Sequence, residues 1–98
     1  MAVTTLVKTV RLSASFRSAA GAKQIDVSVA PDATARNLLD AVARAYPALG
    51  ERLFDGEGRL HPGIQVLADG RHIDFLLGER TPVADAKDLM LIPPVGGG

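Results

Sequence analysis

Between Val10 and Arg17 apolar and polar residues alternate, with Val10, Leu12, Ala14 and Phe16 on one side and Arg11, Ser13, Ser15 and Arg17 on the other. Successive side chains of a strand point to opposite faces, so this period of two predicts a half-buried strand. Residues 1–6 read as a lead-in to it. A second alternating run puts Ile25, Val27 and Val29 inward and Gln24, Asp26 and Ser28 outward. Small residues over 18–22, with Gly21 among them, suit the loop of a β-hairpin joining the two strands.

The period then changes. Ala35, Leu38, Leu39, Val42 and Tyr46 recur at helical spacing and form one apolar stripe, while Arg36, Asn37, Asp40 and Arg44 fall on the wet face. Pro31-Asp32-Ala33-Thr34 leads into this helix, with Thr34 as the expected N-cap. Pro47 has no N–H to continue the ladder, so the helix is expected to stop near Ala45 or Tyr46. Residues 49–54 suggest one further short turn before the Asp55-Gly56-Glu57-Gly58 loop.

Ile64, Val66 and Ala68 predict a third strand, and Asp69-Gly70 is a strong two-residue hairpin signal. Ile73 and Phe75 would continue on a short returning strand. Gly78 and Thr81-Pro82 mark another loop. Leu89-Met90-Leu91-Ile92 is apolar without alternation and is bounded by Pro93-Pro94, which predicts a central strand covered on both faces. One helix among these strands favours a two-layer α+β domain, a mixed sheet of four to five strands packed on one main helix. The helix also allows the last strand to lie parallel to the first. This is a β-grasp (ubiquitin-like) arrangement. Residues 1–95 are expected to form a single such domain, followed by a flexible glycine tail at 96–98.

Composition narrows the function classes. Ninety-eight residues suit one domain, and 47% apolar with 22% charged content is globular rather than disordered. Eleven basic and eleven acidic residues cancel, whereas a duplex-binding module usually carries a basic excess, so no direct nucleic-acid partner is expected. The chain has no cysteine, which removes disulfides, thiolate metal sites and a cysteine nucleophile together. No long apolar stretch suggests a leader or a membrane span, and a cytoplasmic protein, monomeric when free, is expected.

Catalytic constellations are missing as well. Neither a GxxxxGK phosphate loop nor a GxGxxG after a strand is present. His61 and His72 lack a third ligand at metal spacing, so surface or hydrogen-bonding roles and no bound metal are expected. Asp85 and Asp88 read as turn residues before the last strand, as do Asp55, Glu57 and Asp69 in their loops. The expectation is a non-enzyme that binds no cofactor of its own.

The remaining feature is the terminus. Pro93 and Pro94 stiffen the base of a tail that continues as Val95-Gly96-Gly97-Gly98. Fully extended, residues 94–98 reach roughly 17 Å, enough to carry a carboxylate into another protein's active site. Glycine leaves the terminal carbon open to attack. Activation of that carboxylate, for example as an acyl-adenylate, requires ATP and an enzyme that this chain does not contain.

The run Asp88-Leu89-Met90-Leu91-Ile92-Pro93-Pro94-Val95-Gly96-Gly97 resembles the ending of the MoaD/ThiS family of ubiquitin-like sulfur carriers. Supporting matches are the helix region 31–46 followed by Pro47, and the strand and turn over 66–70. Arg71-His72-Ile73-Asp74-Phe75-Leu76-Leu77-Gly78, followed by Thr81-Pro82-Val83, looks especially like the cysteine- or tRNA-sulfur carriers and archaeal small modifier proteins. The resemblance implies that a ubiquitin-activating-type enzyme uses ATP to adenylate the terminal glycine. A sulfur donor then forms a thiocarboxylate that passes sulfur to an acceptor in molybdopterin, thiamine, cysteine or thiolated-tRNA synthesis.

Some relatives are joined instead through that glycine to lysines of target proteins, the alternative reading, and a plain non-catalytic β-grasp binding domain is a third. Two departures stand out. Relatives commonly end at Gly-Gly, so Gly98 carries the chemistry as written and Gly97 if the tail is trimmed. The turn before the last strand reads Ala84-Asp85-Ala86-Lys87-Asp88, where relatives often have Asp-Gly-Asp. Expected partners are the adenylating enzyme and a sulfur-accepting enzyme or target proteins. Candidate docking residues are Phe75, Leu76 and Leu77 on the sheet face beside the tail, together with Arg71.

Overall fold

A computed structural model describes residues 5–94. Strand β1 (Leu6–Leu12) pairs antiparallel with β2 (Gln24–Val29), Leu6 lying opposite Val29 and Val10 opposite Ile25. Both strands alternate as predicted, with Val10, Leu12, Ile25, Val27 and Val29 in the core.

The link between them departs from the expectation of a continued strand and a simple hairpin loop. β1 stops at Leu12, and Ser15–Ala20 form a short helix, α1. Ala14 turns the chain with φ 50°, and the Arg17 side chain donates to the Leu12 carbonyl at 2.7 Å. Gly21 closes the helix in the left-handed conformation, its N–H bonding the Arg17 carbonyl. Phe16 thereby enters the core with Ala19 and Ala20 packed against it. Positions 16, 19 and 20 have the i, i+3, i+4 spacing of a helix, and the preceding alternation masked it.

The main helix, α2 (Ala35–Ala45), starts as predicted. Thr34 Oγ1 accepts from the Asn37 N–H, and the Asn37 side-chain oxygen accepts from the Thr34 N–H at 3.0 Å, a reciprocal cap. Ala35, Leu38, Leu39, Ala41 and Val42 are buried against the sheet. Pro47 ends this helix and begins the next, α3 (Pro47–Leu53), because the first helical position needs no N–H. The anticipated short turn is therefore a helix, which buries Leu49 and Leu53.

Strand β3 (Gln65–Ala68) turns through Asp69 and Gly70, both at positive φ, into β4. β4 is only Arg71–His72. Ile73–Phe75 form a 3₁₀ turn rather than the expected strand continuation: Ile73 enters the core, and Phe75 is left 85% exposed. The last strand, β5 (Leu89–Ile92), occupies the predicted centre, giving the sheet order β2-β1-β5-β3-β4. It runs parallel to β1, with Val10 opposite Leu89, and antiparallel to β3, with Val66 opposite Leu91. One expectation for it fails: β5 is not covered on both faces. Leu89 and Leu91 are buried, whereas Met90 and Ile92 are only half-buried on the face away from α2. The result is an α+β fold with a mixed five-stranded sheet and α2 across one face.

Candidate functional site

β5 is held from both sides along its length, yet its two ends differ in kind. At its start, the departure turn 84–88 is tied down by its neighbours. Asp69 Oδ1 accepts from the backbone N–H groups of Lys87 and Asp88, each at 2.9 Å, and the Asp69 N–H donates to the Asp88 carbonyl at 2.7 Å. Lys8 Nζ reaches across from β1 to donate to the carbonyls of Ala84 and Ala86, at 2.9 and 2.8 Å. Arg11 grips Asp88 with two hydrogen bonds of 2.8 and 2.7 Å. That fork lowers the Asp88 pKa and raises that of Arg11. Asp88 thus proves to be an ion-pair partner as well as a turn residue.

At its other end β5 runs into Pro93-Pro94. The Ser13 N–H bonds the Leu91 carbonyl at 3.2 Å, and Gln65 opposite Ile92 is the last pair with β3. Neither proline has an N–H, so the ladder stops there by necessity. Both prolines are half-buried in a notch lined by Ser15, Phe16, Arg52, His61 and Pro62. Val95, Gly96, Gly97 and Gly98 lie outside the described residues.

The docking candidates are placed differently from the expectation. Phe75, Leu76 and Leu77 are not on the sheet face; they form the turn after β4, at the sheet edge. All three are exposed, as is Arg71. β4 runs in the same sense as β5, so this turn lies toward the end of the sheet where β5 leaves.

The turn is braced from within. Buried Thr81 accepts from the Leu77 N–H through its hydroxyl, which donates to the Gly78 carbonyl at 2.7 Å. Arg36 pairs with both Asp40 and Glu79 at 3.1 Å and sits 4.4 Å above the Phe54 ring, joining α2 to the turn. Phe75 meets His72 edge-on, with ring centroids 6.4 Å apart. The turn that carries Phe75 is thus braced, while the side chain itself stays 85% exposed.

A further apolar strip escaped the sequence reading. Leu67 lies opposite both Met90 and His72, and Ile92 is two residues beyond Met90, so these side chains share the open face. Through His72 the strip is continuous with Phe75. The signal was present in Leu89-Met90-Leu91-Ile92: a strand with Leu89 and Leu91 in the core must turn Met90 and Ile92 to the other face. His61 lines the notch and His72 the strip. Among the described residues no three potential metal ligands cluster, and no helix is long and apolar enough to cross a membrane.

A sheet with its last strand at the centre and a helix across one face, the sequence continuing through Pro93-Pro94-Val95 to three glycines, define a ubiquitin-like β-grasp protein. Residues 10–98 match the ThiS family, and the chain belongs to it. It is 41% identical over 88 residues to small archaeal modifier protein 1 of Haloferax volcanii, spanning 90% of this chain and 97% of that protein. The crystal structure of SAMP1 from Haloferax volcanii matches with a TM-score of 0.82 and 35% identity, over 94% of this chain and 99% of the other. A chain of the Amycolatopsis orientalis BexX/CysO complex matches with a TM-score of 0.73 and 27% identity, over 92% and 98% respectively. The protein is thus a small ubiquitin-like carrier or modifier, and not itself a catalyst.

Proposed function

We propose that this chain is a sulfur carrier whose terminal glycine is adenylated by a ubiquitin-activating-type enzyme and converted to a thiocarboxylate. The observation that carries the reading is the pairing of a central, doubly hydrogen-bonded β5 with an immediate Pro93-Pro94-Val95-Gly96-Gly97-Gly98 continuation inside the family match. In the first step the Gly98 carboxylate attacks the α-phosphorus of ATP, forming a mixed anhydride and releasing pyrophosphate. Sulfide from a donor then attacks the carbonyl carbon; the C–O bond to AMP breaks and a C–S bond forms. The chain contributes the carboxylate, its access and its placement, while ATP belongs to the partner.

Docking would use Phe75, Leu76, Leu77 and the Leu67–Met90–Ile92 strip, with Arg71 at the edge. Exposed apolar side chains carried on a braced turn would leave water on binding, which suits them as anchors. The test is intact-mass analysis after incubation with the adenylating enzyme of the same cell, ATP and a sulfur source. A mass gain of oxygen-to-sulfur exchange at the C-terminus is expected, and its failure under conditions where a known carrier reacts would defeat the proposal. The same spectrum identifies the reactive terminus as Gly98 or, after trimming, Gly97.

The likeness to small archaeal modifier protein 1 favours a second use of the same activated terminus, conjugation to target lysines. A lysine amine in place of sulfide would displace AMP and form an isopeptide bond. Glycine remnants on lysines of cellular proteins, lost when Gly98 is deleted, are the expected sign.

A further inference from the structure

We infer that Gly63 is a positioning residue for the tail, its missing side chain leaving the space that Pro94 occupies. The antiparallel register of β3 with β5 pairs Gln65 with Ile92; carried two residues outward, it sets Gly63 against Pro94. The contact is close. A Cβ at Gly63 would lie 3.2 Å from Pro94 Cβ, 3.6 Å from its Cγ and 3.8 Å from its Cα. Gly63 also has φ +89°, a conformation that side-chain-bearing residues rarely adopt.

The geometry around it makes this contact decisive for direction. Past Ile92 the chain offers the sheet no backbone donor, because Pro93 and Pro94 supply no N–H and can only accept. Beyond that point the prolines line one notch with Ser15 and Phe16 on the β1 side and His61 and Pro62 on the β3 side. On the β3 side Gly63 stands so close to Pro94 that an added Cβ would crowd it. A Cβ there would require Pro94 to give by a few tenths of an ångström and a longer side chain by more, and the glycines after Val95 have no side chains with which to correct the displacement. The inference rests on the proposed acyl chemistry, since a tail needs aiming only if its end must reach a reacting centre.

Two substitutions separate aim from stability. Asn tolerates positive φ better than Ala but is bulkier. Backbone strain therefore ranks Gly63→Ala above Gly63→Asn, while crowding of Pro94 ranks them in the opposite order. Gly58 (φ +80°, no neighbour within 4 Å) supplies the strain-only control, Gly58→Ala.

Steady-state adenylation by the cell's own activating enzyme should show kcat reduced by about 10- to 100-fold in Gly63→Asn, less in Gly63→Ala and not at all in Gly58→Ala. KM should be unchanged, because the docking residues are elsewhere. A kcat that follows melting temperature instead of side-chain size, or that does not move in either Gly63 variant, overturns the inference. If the wild-type chain itself forms no adenylate, the proposed function fails separately. Positioning is then decided by residual dipolar couplings of the residue 96–98 amides, which must change in Gly63→Asn and not in Gly58→Ala.

Discussion

The two ends of β5 are built on opposite principles. At the start, the side chains of Asp69, Lys8 and Arg11 place six hydrogen bonds on the 84–88 turn, from β1 and from the hairpin between β3 and β4. At the exit, two prolines withdraw the ladder's donors, share a notch with Phe16 and Pro62, and meet Gly63 through Pro94. A strand clamped at one end and released at the other delivers a defined starting point to whatever follows it. Polar bonding fixes where the strand lies; packing decides where the tail goes. Loss at the exit should therefore abolish transfer without unfolding, and loss at the clamp should unfold without being specific to transfer.

The largest expected effect is at the released end. Deletion of residues 96–98 should abolish thiocarboxylate formation and conjugation, read by intact mass, with no change in melting temperature. An unfolded deletion variant would break the comparison by making the tail part of the fold. Within the strand, Leu91→Ala removes a fully buried side chain from the centre of the core and should cost about 2–5 kcal/mol in urea unfolding. A loss near zero would mean that the core collapses around the site and that β5 is not the keystone its position implies.

These features differed in how far the chain itself revealed them. The α2 stripe, the Thr34 cap, the Asp69-Gly70 turn and the central place of β5 were legible because each rests on local periodicity or local turn chemistry. Helix α1 was hidden because its Phe16 continues the alternation of β1 by one more step, and only the bend at Ala14 ends the strand. β4 was overread for a similar reason: Ile73 and Phe75 share a parity, yet one is in the core and the other is 85% exposed. The tail was visible as composition. The Gly63 contact that aims it was not, since it joins residues brought together only by the β3–β5 register.

Partner binding should divide from both ends. Phe75→Ala is expected to raise KM for adenylation by about tenfold, ~1.4 kcal/mol, as for a moderate interface anchor, while leaving kcat and stability alone. A stability loss from this exposed side chain would instead make its contact with His72 structural. Asp69→Gly tests the clamp with a residue that accepts the native φ of 52°. Losing the two bonds to Lys87 and Asp88 should cost roughly 1–2 kcal/mol in urea unfolding. The kcat of molecules that remain folded should be unchanged, and a selective fall in kcat would show that the clamp also aims the tail.

The smallest effect belongs to the Arg11–Asp88 pair, because both side chains are about half exposed and salt screens them. Its sign is nevertheless fixed. The hydrogen bond from Arg11, and then its charge, hold the Asp88 pKa below the unfolded value, so the folded state binds fewer protons there. The stabilisation is present above the ordinary aspartate range of about 3.9 and is lost as pH falls through the folded value. Asp88→Asn should therefore flatten part of the decline in urea midpoint below about pH 4, and high salt should produce a similar flattening in the wild type. Asp55 also has a lowered pKa, but its largest causes are the backbone N–H groups of Arg59 and Glu57, with the His61 charge a smaller one. Its share of the acid slope should survive salt. If Asp88→Asn leaves the salt-sensitive part of the slope intact, the ion pair adds nothing to the clamp, and the backbone bonds from Asp69 hold the turn alone.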